Sequence, residues 1–243
     1  MKTIFRIIIL FLLSSGIASA QTVDEVIGKH IAALGGKEKL ASLKTAKITS
    51  SLDMQGMKLP IVVTVVNNKS VRSEVTFQGM SQVSAMSDGS GWYISPFQGK
   101  TEPEKMNEEM LRESKEQSDL SGPLFNYKEK GNQVELVGKE EMEGTDVFKL
   151  KVTLASGNIS YQYIDATSFL MLKETKKQKF QDKEVESETL FSNYKMIDGI
   201  NFAYAIEIRQ AGESTGKMMT IENVELNLKV DDSIFKMPES VKK

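Results

Sequence analysis

From Thr45 onward the sequence is divided into strand-length segments by short turns, and this regular punctuation constrains the fold more than any other feature. The first two segments, Ala46–Gln55 and Met57–Val66, face each other across Gly56, and comparable segments continue to Leu228. Short connections of this kind join antiparallel neighbours, whereas parallel strands need crossovers of about a dozen residues or more. About eleven strands fit the pattern, so the sequence predicts one large antiparallel meander in a mainly β (α+β) protein.

The apolar residues within these segments indicate which parts of the sheet are covered. Phe148, Leu150 and Val152 alternate with polar neighbours, which is the pattern of a strand with one buried face. The run Leu59–Val66 is apolar at nearly every position instead, so that strand must be covered on both faces. A sheet with one generally polar face and one doubly covered strand predicts strong curvature around other elements.

Two short helices are predicted before the first strand. Thr22 and Glu25 form a capping box at the start of a helix with a continuous apolar stripe. That helix ends at Gly35-Gly36, and Lys37–Leu43 predicts a second helix directly after it. The region before the sheet is therefore expected to be a bent helical hairpin.

A third helix is predicted inside the strand series, where the segment Pro103–Gln117 interrupts it. Lys105–Lys115 is rich in helix formers, with Met106, Met110 and Leu111 on one side and charged residues elsewhere. An amphipathic helix inserted in a meander must lay its apolar side on the sheet or over its mouth. Since no linker or repeat divides the rest of the sequence, residues 21–243 are expected to form a single domain.

The first twenty residues predict a secretory signal peptide rather than part of the fold. Lys2 and Arg6 precede an apolar run, Ile7–Leu13, and small residues follow up to Ala18-Ser19-Ala20. This arrangement is typical of a cleaved Sec-type signal, with cleavage expected before Gln21. The apolar run is shorter than the roughly 20 residues needed to cross a bilayer. We therefore expect an exported protein.

The composition offers few residues for catalysis or metal binding. The chain has no cysteine and a single histidine, His30, which lies beside the apolar stripe of the first predicted helix. Zinc sites depend on cysteine and histidine, and serine hydrolases need a histidine partner. A net charge of −2 also disfavours sequence-independent nucleic-acid binding, which needs clustered cations. We expect no enzymatic activity, no catalytic residue, no metal, no cofactor and no nucleic-acid partner.

What remains is apolar surface that is rich in methionine. The chain has 13 methionines, and their flexible, polarizable side chains suit surfaces that adapt to variable apolar partners. Ordinary core filling is the other interpretation of this count. Burying an acyl chain is favourable by roughly 0.8 kcal/mol per methylene, so a dry concave surface with a cover is sufficient for a lipid carrier.

Several short signatures, in order along nearly the whole chain, resemble the LolA/LolB-like superfamily, specifically the outer-membrane lipoprotein-sorting proteins of Bacteroidetes-type bacteria. The segments that carry this resemblance are Leu34-Gly35-Gly36 with Leu40 and Thr45, Tyr163-Ile164-Asp165-Ala166, Phe191-Ser192-Asn193-Tyr194-Lys195, Asp198-Gly199-Ile200, and Asn227 with Asp231-Asp232, Phe235 and Pro238. The resemblance implies an open half-barrel of roughly eleven strands, with helices over its concave apolar face. It also implies a periplasmic carrier that shields acyl chains of lipoproteins, or another lipid, for transfer toward the outer membrane.

If the chain is such a carrier, apolar strand residues line the concave face and the inserted helix forms its lid. The predicted lining is Leu52, Met54, Ile61, Val63, Val65, Phe77, Met80, Trp92 and Ile94, and the predicted lid residues are Met106, Met110 and Leu111. The expected partners are acyl chains and transfer proteins at the inner and outer membranes, and the expected state is a monomer.

Two other functions fit the same sequence. The first is a cell-envelope interaction module with a filled core and no ligand cavity, which would bind proteins through strand edges or its acidic face. The second is a hydrolase whose carboxylates converge only in three dimensions.

Overall fold

The computed structural model describes residues 21–180 and 183–239, with side chains described outside 178–185. The signal peptide predicted at residues 1–20 lies outside the described residues. Across the described part of the chain, no helix combines the length and apolar character needed to span a membrane.

Two helices open the fold, as the sequence predicts. Helix α1 (Val23–Leu34) begins with the predicted capping box, since the Glu25 amide donates to Thr22 Oγ1 (3.3 Å) and the Thr22 amide donates to the Glu25 carboxylate (2.9 Å). Helix α2 (Lys37–Ala41) follows after Gly35, whose φ of +128° places it against the carbonyl oxygen of Gly199. A side chain at Gly35 would collide with that oxygen, so glycine lets the end of α1 touch the sheet.

Thirteen antiparallel strands of the described chain form one sheet. They are β1 (Thr45–Met54), β2 (Met57–Val66), β3 (Ser70–Phe77), β4 (Met80–Ser87), β5 (Ser90–Ser95), β6 (Lys100–Lys105), β7 (Gln133–Met142), β8 (Thr145–Thr153), β9 (Ile159–Asp165), β10 (Met171–Phe180), β11 (Lys183–Ile197), β12 (Ile200–Gln210) and β13 (Lys217–Leu226). Their spatial order is β6-β5-β4-β3-β2-β1-β13-β12-β11-β10-β9-β8-β7. The sheet is a curved half-barrel that stays open, with β6 and β7 as its edges, so the predicted fold class is confirmed.

The topology divides this sheet into two meanders. Strands β1–β6 form a first wing and β7–β13 form a second wing, and the pairing of β1 with β13 joins them at the centre. Because β6 and β7 lie at opposite edges, the chain between them must cross the sheet. That crossing consists of helix α3 (Glu108–Gln117) and the loop 118–132.

The number of strands and the start of α3 differ from the sequence expectation. We expected about eleven strands and a helix over Lys105–Lys115, but Lys100–Lys105 forms edge strand β6 and α3 begins only at Glu108. Asn107 is the N-cap, and its Oδ1 accepts a hydrogen bond from the Met110 amide (2.9 Å). The strand is charged and contains Pro103, which an edge strand tolerates and a central strand does not.

The helices and the crossing loop lie on one face of the sheet, which we call the inner face. On the second wing, Ile27 and Ile31 of α1 and Phe125 of the crossing loop belong to one buried cluster with Leu150 and Ile164. On the first wing, Met106 at the start of the crossing packs in a second cluster with buried strand residues. The core of the protein is therefore the space between the inner face and its helical cover.

Candidate functional site

Seven of the nine predicted lining residues lie on the inner face of the first wing. The strand register pairs Val65 with Val71, and Val71 with Met86, in the cluster beneath α3. Directly opposed residues of antiparallel strands share a face, and alternate residues along each strand do as well. By this rule the same face holds Leu52, Met54, Ile61, Val63, Val65, Phe77 and Met80.

The other two predicted residues, Trp92 and Ile94, lie on the outer face. Trp92 pairs with Ala85, and Ile94 pairs with Val83, in a small buried cluster separate from the one beneath α3. The indole Nε1 of Trp92 donates to the carbonyl oxygen of Phe235 (2.8 Å) in the segment that covers this outer face. The expectation that both residues line the inner face is therefore corrected, because β5 has apolar or aromatic side chains on both faces.

All three predicted lid residues contact the inner face. Met106 is buried and Met110 and Leu111 are half-buried in the cluster formed with Val65 and Met86. A Cβ at Gly91 of β5 would collide with the sulfur of Met106, so the glycine provides the space in which this side chain packs. Helix α3 therefore covers one end of the first wing.

The far end of α3 contacts both wings. Lys115 Nζ donates to the carbonyl oxygen of Asn68, in the β2–β3 turn of the first wing. Glu116 Oε1 accepts from Ser156 Oγ (2.6 Å) and Asn158 Nδ2 (2.8 Å), in the β8–β9 turn of the second wing. The helix thus bridges the open side of the half-barrel.

A cavity of about 280 Å³ lies between the inner face and its cover, close to the centre of the sheet. Most of its wall is apolar, with contributions from α1, α2, the crossing loop and strands of both wings. The lining residues are His30, Ile31, Leu34, Leu40, Ile48, Leu120, Ser121, Gly122, Pro123, Leu124, Gln162, Met171, Phe191, Tyr194, Ile200, Asn201, Phe202, Ala203, Ile206, Ile221 and Val224. None of the predicted lining or lid residues borders this cavity.

The cavity continues onto the predicted lining through paired strand residues. Ile48 on its wall lies opposite Val63 across the β1–β2 ladder. Ile206, also on its wall, lies opposite Met219, and Met219 lies opposite Leu52. The cavity and the inner face of the first wing therefore form one continuous apolar surface.

The main polar groups of the cavity wall are held by hydrogen bonds to the protein. The Tyr194 hydroxyl donates to the Met171 carbonyl oxygen (2.7 Å), and burial raises the pKa of this phenol. Gln162 Nε2 donates to Glu174 Oε1 (3.1 Å). His30 Nδ1 contacts the Phe169 carbonyl oxygen (2.7 Å), and burial lowers the pKa of the imidazole. Such a wall favours apolar ligands, and within the described ranges no group of three acidic or histidine side chains stands ready for a metal ion.

Beyond the cavity, the inner face of the first wing stays open to solvent. Met54, Met57 and Met80 near the hairpin ends are 37%, 45% and 43% exposed. Leu52, Ile61 and the other predicted lining residues between them and α3 are mostly half-buried. On the second wing, α1 and the crossing loop cover the inner face around Leu150 and Ile164.

Comparison with known proteins identifies the fold. No family model matches the chain, and no curated protein is similar to it in sequence. A solved LolA superfamily protein from Nitrosomonas europaea has 13% identity and a TM-score of 0.58, over 89% of this chain and 98% of that one. The chain has a LolA-like fold.

Two further solved structures share the LolA-like fold with this chain. A DUF1329 family protein from Desulfovibrio piger has 15% identity and a TM-score of 0.57, over 89% of this chain and 98% of its own. A putative outer membrane lipoprotein-sorting protein domain from Vibrio parahaemolyticus has 14% identity and a TM-score of 0.53, over 87% of this chain and 94% of its own. Since each match covers nearly all of both chains, the likeness extends over the whole LolA-like fold.

Proposed function

We propose that this protein is a non-catalytic periplasmic carrier that shields the acyl chains of lipoproteins, or of another lipid, during transfer toward the outer membrane. The observation that supports this proposal is the continuity between the central cavity and the uncovered apolar face of the first wing. Burying apolar surface is favourable by about 25 cal/mol per Å², so a partly solvated apolar face is stabilised when a ligand covers it. An acyl chain laid along it would remove that surface from water.

The lid and the methionines fit the same role. Met106, Met110 and Leu111 place flexible apolar side chains over one end of the proposed binding face. Unbranched methionine side chains can repack around ligands of different length and unsaturation. The candidate binding residues are the cavity wall together with the seven predicted lining residues on the same face.

Periplasmic placement is also part of this proposal. It is supported by the signal peptide predicted at residues 1–20 and by the fold shared with a domain named as outer membrane lipoprotein-sorting. Transfer partners at the two membranes and a monomeric state are expected for such a carrier.

The sheet edges argue against protein binding by strand addition, which is one form of the interaction-module alternative. Edge strand β6 carries charged side chains and Pro103, and edge strand β7 has a register shift between Leu136 and Gly138. Charges, proline and bulges on edge strands are the features that prevent pairing with another chain. The apolar inner face is the better candidate for ligand contact.

The direct test is mass spectrometry of organic extracts from the protein, purified from its native periplasm without detergent. A carrier should release lipid or acylated peptide in near-stoichiometric amount, and the spectrum would identify the cargo. A clean extract, still clean after incubation with lipid vesicles, would contradict the proposal and favour the interaction module with a filled core.

A further inference from the structure

Three turns at one end of the first wing share a short sequence pattern. Each has an apolar residue followed by Gln-Gly, in Met54-Gln55-Gly56-Met57, Phe77-Gln78-Gly79-Met80 and Phe97-Gln98-Gly99-Lys100. The first two connect β1 to β2 and β3 to β4, and the third connects β5 to β6. We call these three turns the Gln-Gly tips. Because β1–β6 form one meander, the tips lie side by side at the same end of the first wing.

The apolar side chains of the Gln-Gly tips are solvent-exposed. Met54, Met57, Met80 and Phe97 are 37%, 45%, 43% and 43% exposed, and they are four of the ten large apolar side chains that the described residues expose. Phe97 also contacts Phe77, with ring centroids 6.2 Å apart, which links the second tip to the third. These four exposed apolar residues therefore lie together at this end of the wing.

Turn geometry alone does not account for glutamine in the first two tips. Gln55 and Gln78 have φ values of 58° and 51° and are followed by Gly56 and Gly79 with φ values of 84° and 79°. Asparagine, aspartate and glycine tolerate this left-handed backbone better than glutamine. Glutamine therefore requires another explanation, and its long neutral amide can reach polar groups beyond the turn.

Comparison with the other turns of the same geometry shows a difference in charge. Asp88-Gly89, Glu143-Gly144 and Asp198-Gly199 have the same pair of positive φ values, and each begins with an acidic residue. Asp88 lies at the opposite end of β4 from the second tip. The segments 54–58, 77–80 and 96–100 contain no acidic residue and two lysines, Lys58 and Lys100, of which Lys100 pairs with Glu104 of β6 (2.7 Å).

We infer that the Gln-Gly tips dock on the surface of a phospholipid bilayer. Apolar side chains can enter the boundary between headgroups and acyl chains, neutral amides can hydrogen-bond to headgroups, and the lack of acidic residues avoids repulsion from phosphate. Asp53 lies next to the first tip, and its carboxylate is engaged within the turn, since Oδ1 accepts a hydrogen bond from the Gly56 amide (2.8 Å). Docking here would bring the uncovered inner face, which begins at Met54 and Met80, to the bilayer surface.

The test is co-sedimentation with vesicles of phosphatidylethanolamine and phosphatidylglycerol, using the chain from Gln21 onward, which contains every described element. The test variant is Met57→Gln, Met80→Gln and Phe97→Gln combined. We expect the unsubstituted chain to sediment with the vesicles and the variant to bind at least about tenfold more weakly, since three inserting side chains are lost. All three positions are exposed, so the fold should persist, with circular dichroism as the check.

A matched variant separates the tips from general exposed hydrophobicity. Val137→Gln, Ile159→Gln and Met196→Gln change three side chains of the second wing that are 53%, 46% and 66% exposed. This control should bind vesicles as the unsubstituted chain does. Three outcomes would overturn the inference. They are equal binding by both variants, sedimentation of the chain only when a partner protein is added to the vesicles, and no vesicle binding by the unsubstituted chain. Because the assay detects bound protein rather than extracted lipid, its outcome is independent of the carrier test.

Discussion

At the scale of single residues, the buried His30 links the stability of the fold to pH. Its side chain is 5% exposed on α1, and its Nδ1 lies 2.7 Å from the Phe169 carbonyl oxygen. A carbonyl oxygen only accepts hydrogen bonds, so Nδ1 holds the proton and the neutral ring is the form that fits. Protonating Nε2 would place a charge in the interior, and burial therefore lowers the pKa of the imidazole.

This shift predicts a loss of stability on mild acidification. The unfolded chain has the ordinary histidine pKa near 6.5, so as the pH falls below that value it binds a proton that the folded chain resists. The free energy of unfolding should then decrease by at most about 1.4 kcal/mol per pH unit. Urea unfolding of the protein and of His30→Gln between about pH 7.5 and about pH 5 isolates this effect, since the chain has one histidine. Parallel pH profiles for the two proteins would contradict the prediction.

At the scale of elements, α3 is held less by its own sequence than by what its ends contact. Met106 just before the helix and Met110 and Leu111 within it pack on the first wing. At its far end, Glu116 accepts hydrogen bonds from Ser156 and Asn158 of the second wing. Exposed hydrogen bonds of this kind contribute little to global stability. They can still determine how often a short helix leaves the sheet.

We therefore expect Glu116→Ala to loosen α3 without unfolding the protein. Amide hydrogen exchange in 108–118 should become faster, while the free energy of unfolding falls by no more than about 1 kcal/mol. Gln117→Ala is the matched control, because it introduces the same alanine at the adjacent, exposed position of the helix. Unchanged protection of α3 in Glu116→Ala, or an equal change in both variants, would show that the contact with the second wing does not restrain the helix.

The same elements show which features of the fold can be predicted from sequence. In β1–β4 the tight turns set the register and the apolar alternation sets the face, so one face collects Leu52 to Met80 as expected. In β5 the residues on both faces include apolar or aromatic side chains, so the sequence does not indicate that Trp92 faces outward. The sequence does not predict strand β6, because a solvated, charged edge strand lacks any apolar period.

At the scale of the whole molecule, the cavity depends on contacts that no local pattern contains. Its wall combines α1, α2 and β1 with β12 and β13, and more than a hundred residues separate the first three elements from the last two. The side-chain volumes of α1 and β12, which are far apart in sequence, decide whether α1 fills the space above β12 or leaves room. The sequence therefore predicts an apolar inner face, and only the assembled fold shows which part of it is left unfilled.

The proposed carrier function predicts that filling this cavity lowers the amount of bound lipid and leaves the fold intact. Ile48 lines the cavity and lies opposite Val63 on the inner face, so Ile48→Phe places a larger side chain into about 280 Å³ of space. We expect bound lipid per protein to fall by at least about twofold, with less than the roughly 1–3 kcal/mol of destabilisation that overpacking a filled core causes. Thr49→Phe is the matched control, because Thr49 lies on the outer face opposite Val62, and it should retain its lipid. If Ile48→Phe instead loses stability and keeps its full lipid content, acyl chains do not occupy the cavity and bind only along the open face of the first wing.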